Sequence, residues 1–388
     1  MKRIYLDHAA TTPLDRSVLS AMRPFFHTKY GNAASIHKFG QEAAEAVEKA
    51  RISILSKLNA KSDDYQVIFT SGGTESNNFA IKGVAFAAKE RSKKNHIIVS
   101  AIEHDCILNC SRWLERNGFE VTILPVNEEG FVDPQDVAKA IKKQTLLVSI
   151  MHANNEIGTI EPIEEIAKIC LENEVYFHSD ACQSFTKVPI DLSKNPLDLL
   201  TINAHKIYGP KGIGALVIKN GVKIEPLLHG GGQEYGLRSG TLNVPGIVGF
   251  GEAVKVIKPS HIKRMKKLRD YLIEGVINSI EDVFLNGPKN HRLCNNANFT
   301  FKYVEGESIV LMLNAKGIAV STGSACSSRS LEPSHVLVAI GRSYEDAHGS
   351  IRITLGKDTS KEEIDCTIES LKEVVSKLRE IRPIKPCN

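Results

Sequence analysis

Three short stretches combine residue types that can act on a small charged molecule. The first is Thr70-Ser71-Gly72-Gly73-Thr74-Glu75-Ser76, where an apolar run ends and a helical pattern begins. Glycines let the main chain approach a ligand closely, and a helix N-terminus offers unpaired N–H groups to an anion. Thr74 adds a hydroxyl. The same residues also suit a plain tight turn with a capping side chain. The turn is neither a Walker A loop nor a GxGxxG fingerprint, so it gives no support for a bound nucleotide. The second stretch is His178-Ser179-Asp180-Ala181-Cys182-Gln183, again just after an apolar run. A carboxylate at the end of a buried strand needs a cationic or hydrogen-bonding partner, because isolated buried charge is costly. A protonated pyridine nitrogen is one such partner; a helix N-cap role for Asp180 is the other reading. The third is Asn203-Ala204-His205-Lys206-Ile207-Tyr208-Gly209. A lysine directly after a buried strand is partly desolvated, which favours a nucleophilic amine of the Schiff-base kind. His205 beside it can donate to a phosphate. The alternative is a surface loop with Lys206 in water.

A fourth stretch carries a thiol. Cys326 lies in Thr322-Gly323-Ser324-Ala325-Cys326-Ser327-Ser328, which has too little apolar bulk to bury a structural cysteine. It suits an exposed loop. The chain has eight cysteines and no CxxC pair, so free thiols are expected rather than disulfides or a zinc site. Cys106 and Cys110 stand four apart, a helical spacing, but no second ligand pair follows at zinc-site distance.

These residues need a scaffold that brings them together. Short apolar runs, at 66–70, 96–100, 121–125, 146–151, 175–178, 199–202 and 215–218, alternate with amphipathic stretches. Ile163, Ile166, Ala167 and Cys170 fall on one helical face. Such alternation argues for a mostly parallel sheet covered on both faces, with ligands beyond the carboxyl ends of its strands. The pattern changes after about Gly251. A charged helical stretch spans 263–278, the run 298–301 follows, and Ile364, Ile368, Leu371, Val375 and Leu378 mark a closing helix. An α/β class results, with a large seven-stranded domain over 13–255. A smaller α+β domain is formed by 1–12 and 256–388.

Composition narrows the partners. Charged residues are 24% of the chain and the net charge is only +4, with no Lys/Arg block among aromatics, so nucleic-acid binding is not expected. The N-terminus meets Asp7 and His8 at once and supplies no signal peptide. No apolar run approaches the ~20 residues that cross a bilayer. A soluble, cytoplasmic protein without membrane contact is expected.

Phosphate turn, Asp-x-x-Gln and His-Lys in this order resemble the fold-type I pyridoxal-phosphate enzymes. Further motifs resemble the cysteine desulfurases of the NifS/IscS class, which are class-V aminotransferase-like. These are Tyr5-Leu6-Asp7-His8-Ala9-Ala10-Thr11-Thr12, Gly31-Asn32-Ala33-Ala34-Ser35, Glu103-His104, Asn154-Asn155-Glu156-Ile157-Gly158, Arg238-Ser239-Gly240-Thr241 and Ser321 to Ser328. The match spans nearly the whole chain.

The resemblance implies a fold-type I transferase and a role for each matching position. Lys206 would hold pyridoxal 5'-phosphate covalently. Asp180 would pair with the pyridine nitrogen and Gln183 with the ring hydroxyl. His104 would stack on the ring and move protons. Gly73, Thr74, Asn203 and His205 would hold the phosphate, although members usually carry Ser where Asn203 stands. Thr241 would reach the phosphate of a neighbouring subunit, which implies a homodimer with shared active sites. Asn155 and Arg352 would bind the carboxylate of L-cysteine. Cys326 would take the sulfur as a persulfide, releasing L-alanine. No resident metal is implied; Cys326 is the one candidate for transient contact with a nascent iron–sulfur cluster. The sulfur acceptor would be an iron–sulfur scaffold protein or a partner in tRNA or cofactor thiolation. The longer C-terminal tail with which some members dock their scaffold is not expected after the final helix. Selenocysteine lyase, or another fold-type I enzyme, is the alternative activity.

Overall fold

The computed structural model describes residues 3–91, 94–323 and 332–381. The strands among them are β1 (Ile4–Tyr5), β2 (Tyr65–Thr70), β3 (His96–Ser100), β4 (Glu120–Leu124), β5 (Thr145–Ser149), β6 (Tyr176–Asp180), β7 (Leu199–Asn203), β8 (Gly214–Lys219), β9 (Val283–Asn286), β10 (Asn296–Phe301), β11 (Ile318–Ala319) and β12 (Ser350–Thr354). Seven of them form one sheet in the order β2-β8-β7-β6-β5-β3-β4. Only β8 runs against its neighbours; the other pairings are parallel.

The central strands are apolar almost throughout because both faces are covered. Every residue of β3, β5 and β7 is buried. Alternate residues feed different layers. Val67 and Phe69 of β2 join one core, together with Ala43, Val47 and Ile54 of the helix Lys38–Lys57. Ile68 points into the other, with Phe79 and Ile81 of the helix Gly73–Arg91. This is the two-faced arrangement that the strand–helix alternation predicts.

A separate core forms at the other end of the chain. β12-β10-β9 is antiparallel, and Phe299, Ile351 and Ile353 pack against Leu272, Ile364 and Leu371. Ile4 and Leu6 belong to this core too, because β1 pairs in parallel with β11. The chain then returns to the large sheet. Thr12 donates its N–H and its hydroxyl to the His205 carbonyl, at 2.9 and 2.8 Å. Thr12 Oγ1 also accepts the Tyr208 N–H at 2.7 Å.

Strand ends differ from the apolar runs by a few residues. β4 stops at Leu124 because Pro125 has no N–H to offer a neighbour. β6 continues past His178 to Asp180, since Asp180 pairs with Thr201. β7 likewise takes in Asn203, which pairs with Gly214. Two polar site candidates therefore stand on the last residues of central strands, where the ladder fixes their direction.

Candidate active site

A cavity of about 260 Å³ opens beyond the carboxyl ends of β6 and β7. Its wall includes Gly73, Thr74, His104, Asn155, Asp180, Gln183, Asn203, His205, Lys206 and Arg352. All ten were singled out in the sequence. Of the remaining two, Thr241 is exposed on the segment before the helix Val244–Ala253 and does not line this cavity. Cys326 lies outside the described residues.

Asp180 is 6% exposed. Its Oδ1 accepts the Cys182 N–H at 2.8 Å and its Oδ2 the Asn77 Nδ2 at 2.6 Å. Burial alone would raise its pKa. Those two donors, with His104 and Lys206 nearby, outweigh burial and hold the carboxyl below its usual range. It is an anion, and no Lys or Arg forms an ion pair with it among the described residues. His104 caps the helix Asp105–Glu115, and its Nδ1 accepts the Cys106 N–H at 3.1 Å. Burial, then Lys206, holds the ring below its ordinary pKa, so it is neutral near pH 7. The preceding Glu103 is fully buried, and burial pushes its carboxyl well up. Its Oε1 accepts from Ser100 Oγ and Met151 N–H, tying the β3 end to the segment after β5.

The Gly73 turn has its own geometry. A Cβ at Gly73 would stand 2.7 Å from Cys182 Sγ, so only glycine lets this turn lie against the β6 end. Asn203 Nδ2 faces the same turn, and Asn203 Oδ1 is buried without a partner. Glu75 accepts the Ser71 N–H at 2.7 Å and pairs with Arg238 at 2.8 Å, which fixes the first turn of the helix. His205 is pushed down to about 4, first by burial and then by neighbouring lysines. A neutral imidazole can donate one N–H to an anion; its Nδ1 is 3.2 Å from Thr11 Oγ1.

Arg352 on β12 closes the opposite side. Its Nη1 donates to the Asn155 carbonyl at 3.1 Å and its Nη2 pairs with Asp7 at 2.9 Å. Its Nε is buried with no partner in the protein. A planar guanidinium held at both tips is set to take a small carboxylate on its remaining N–H groups. Gln183 donates to the Ala9 carbonyl at 3.0 Å, which brings the N-terminal segment over the cavity.

Residues 4–366 match the family model described as Aminotransferase class-V. The chain belongs to this family. Within the class-V aminotransferases it is 56% identical over 389 residues to cysteine desulfurase IscS of Dictyoglomus turgidum (99% of this chain, 98% of the relative). It is 50% identical over 389 residues to cysteine desulfurase IscS of Methanosarcina thermophila (99% of this chain, 95% of the relative). Among solved structures, a NifS-like protein superimposes with a TM-score of 0.90 at 38% identity, over 97% of this chain and all of that one. A structure described as SspA in complex with cysteine gives 0.81 at 39% identity, covering 91% and 99%.

The donor set fits pyridoxal phosphate as a class-V member would hold it. An unpaired buried carboxylate suits a protonated ring nitrogen, and a glycine turn with neutral donors suits a phosphate. Sequence reasoning missed three contributors. Asn77 stands one helical turn past Gly73 and reaches the cavity and Asp180; its spacing from the turn was the available signal. Cys106 also lines the cavity. Asp7 lay inside a quoted motif, but its partner Arg352 is 345 residues away and nothing local announces the pair.

Proposed function

We infer that this chain is a cysteine desulfurase: it removes sulfur from L-cysteine, using pyridoxal phosphate, and leaves L-alanine. The observation that carries the reading is the convergence of Lys206, Asp180 and Arg352 on one small cavity. An amine, an anionic ring partner and a carboxylate clamp are what an amino-acid substrate and this cofactor require. The full-length identity to the two desulfurases supports it.

Pyridoxal phosphate, when bound, supplies an electron sink next to the substrate's α-carbon. Lys206 would hold it through Nζ, Asp180 through an ion pair, Gln183 through the ring hydroxyl, and Gly73, Thr74, Asn203 and His205 through the phosphate. Arg352 and Asn155 orient the cysteine carboxylate, which fixes the direction of the α-hydrogen and of the sulfur. Lys206 and His104 are the bases within the cavity that hold and return protons. The Cys326 thiolate attacks the substrate sulfur. An S–S bond forms, the C–S bond breaks with its electron pair left on carbon, and that carbon takes up a proton. Cysteine and thiol thus become alanine and a persulfide, with no outside oxidant. The persulfide passes to an iron–sulfur scaffold protein or another sulfur acceptor.

The reading includes a homodimer. Phe26, Tyr30, Ile36 and Phe39 are exposed apolar side chains on one stretch of chain, and a partner there would cover them. Thr241 would then reach the other subunit's phosphate. No described helix is long and apolar enough to cross a membrane; a cytoplasmic site of action accords with that. The test is Lys206→Ala. The purified variant is expected to lose the visible absorbance of bound cofactor and alanine formation together. Wild-type turnover in that variant would remove the cofactor assignment.

A further inference from the structure

Cys106 and Cys110 stand one turn apart on the helix Asp105–Glu115, and the reaction calls on neither. Cys110 is buried in the apolar layer beneath the sheet. Cys106, one turn nearer the helix start, packs against the edge of the same layer and also lines the cavity, where its sulfur meets two groups around which the site is built. Sγ is 3.1 Å from His104 Nδ1 and accepts the Asn77 Nδ2 N–H at 3.2 Å. The same Asn77 nitrogen donates to Asp180 Oδ2 at 2.6 Å.

The direction of these bonds can be worked out. His104 Nδ1 already accepts the Cys106 main-chain N–H, at 3.1 Å, so it carries no proton in the neutral ring. The hydrogen in the short contact between sulfur and Nδ1 is therefore the thiol's own. Burial, and then the Asp180 charge, push this thiol up to about 12, so it keeps that hydrogen. The chain of donors runs from Asn77 to Cys106 and from Cys106 to His104, while Asn77 also serves Asp180.

We propose that Cys106 is a positioning residue for His104: its thiol caps Nδ1, leaves the proton on Nε2, and ties the ring to the Asn77–Asp180 pair. The proposal rests on reading His104 as the residue that stacks on the cofactor. It also gives the thiol a task that withdraws it from sulfur chemistry. A protonated, half-buried thiol engaged on both sides does not compete with Cys326 for the substrate sulfur.

Protonating His104 at Nδ1 means giving up both donors. The other charged groups facing the ring are Lys206 and His335, which oppose its protonation, and Asp180 and Asp105, which favour it; burial is the largest influence. The four charged groups stay in place when the thiol alone is removed, and the serine variant separates the lost donor from any change in burial. Losing one of two donors to the neutral ring raises its pKa, by about half a unit for a weak hydrogen bond.

The experiment compares wild type, Cys106→Ala and Cys106→Ser as full-length proteins, before and after loading with pyridoxal phosphate. Diethylpyrocarbonate modifies neutral imidazole, and mass spectrometry of the His104 peptide against pH gives its titration midpoint. Cys106→Ala is expected to move that midpoint up by about half a pH unit and to carry the acid limb of kcat the same way. Cys106→Ser keeps an O–H donor and is expected to titrate as wild type does. Equal midpoints in all three proteins would overturn the proposal. So would a serine variant that moves as far as alanine, since the cause would then be lost volume. Should the wild type make no alanine from cysteine, the desulfurase reading fails, while the midpoints before loading still decide the role of Cys106.

Discussion

Arg352 gives one N–H to the Asn155 carbonyl and one to Asp7, and keeps a buried Nε without a partner. An orphaned guanidinium nitrogen in a cavity wall is costly unless a ligand completes it. A charge-assisted hydrogen bond contributes about 1.5–3 kcal/mol, so Arg352→Ala should raise KM for cysteine roughly 10- to 100-fold. The smaller change should be in kcat. An unchanged KM would send the carboxylate elsewhere. At this scale the placement was legible: Asp180, Asn203 and Lys206 each follow an apolar run in the sequence, and all three line one cavity. What was not legible is pairing over distance. Asp7 and Arg352 meet only because β1 joins β11 and the chain crosses to Thr354.

Elements hold the site through contacts of the same long-range kind. Arg51 on the helix Lys38–Lys57 pairs with Glu234 at 2.5 Å, and both are nearly fully buried. Glu234 Oε2 also accepts the Phe69 N–H of β2 at 2.7 Å. The pair locks a helix, a strand and the segment leading to Arg238 together, and Arg238 in turn holds Glu75 in the first turn of the helix Gly73–Arg91. Removing one partner of a buried pair leaves an uncompensated charge. Glu234→Ala should therefore lose about 3–5 kcal/mol in urea unfolding. A loss below about 1 kcal/mol would mean that the pair behaves as a solvated one. The strands of the large sheet were legible from their apolar runs, since a sheet buried on both faces leaves no other pattern. Asp180 and Asn203, the polar ends of β6 and β7, were not assigned to strands. Hydropathy ends a strand where the side chains turn polar, whereas the ladder ends it where pairing stops.

At the scale of the molecule, the separate apolar core around β12-β10-β9, which also takes in Ile4 and Leu6, favours a division into 13–255 and a second unit of 1–12 with 256–388, which we propose as the domains. The large sheet also carries a built-in acid sensitivity. His178 lies between Ser149 Oγ at 2.8 Å and Thr201 Oγ1 at 3.0 Å, and burial pushes it down to about 4. Its folded value lies below its unfolded value of about 6.5, so below that pH the unfolded chain binds a proton that the folded one refuses. Stability is lost as pH falls from about 6.5 toward 4. Between roughly pH 7.5 and pH 5 this one group accounts for about 2 kcal/mol. His178→Gln should remove that share, so the variant loses less stability than wild type over the same interval. An identical loss in both would mean that His178 is protonated in the fold. The proposed sulfur path runs from the cavity beyond β6 and β7 to Cys326, and one measurement tests it most directly. Wild-type protein is exposed briefly to cysteine and its cysteine peptides are examined by mass spectrometry, beside Cys326→Ser. The account predicts added sulfur first on the Cys326 peptide. It predicts that the serine variant still changes its cofactor spectrum with cysteine but releases no alanine. Sulfur arriving first on Cys106 or Cys182, or normal alanine release by the serine variant, would contradict it.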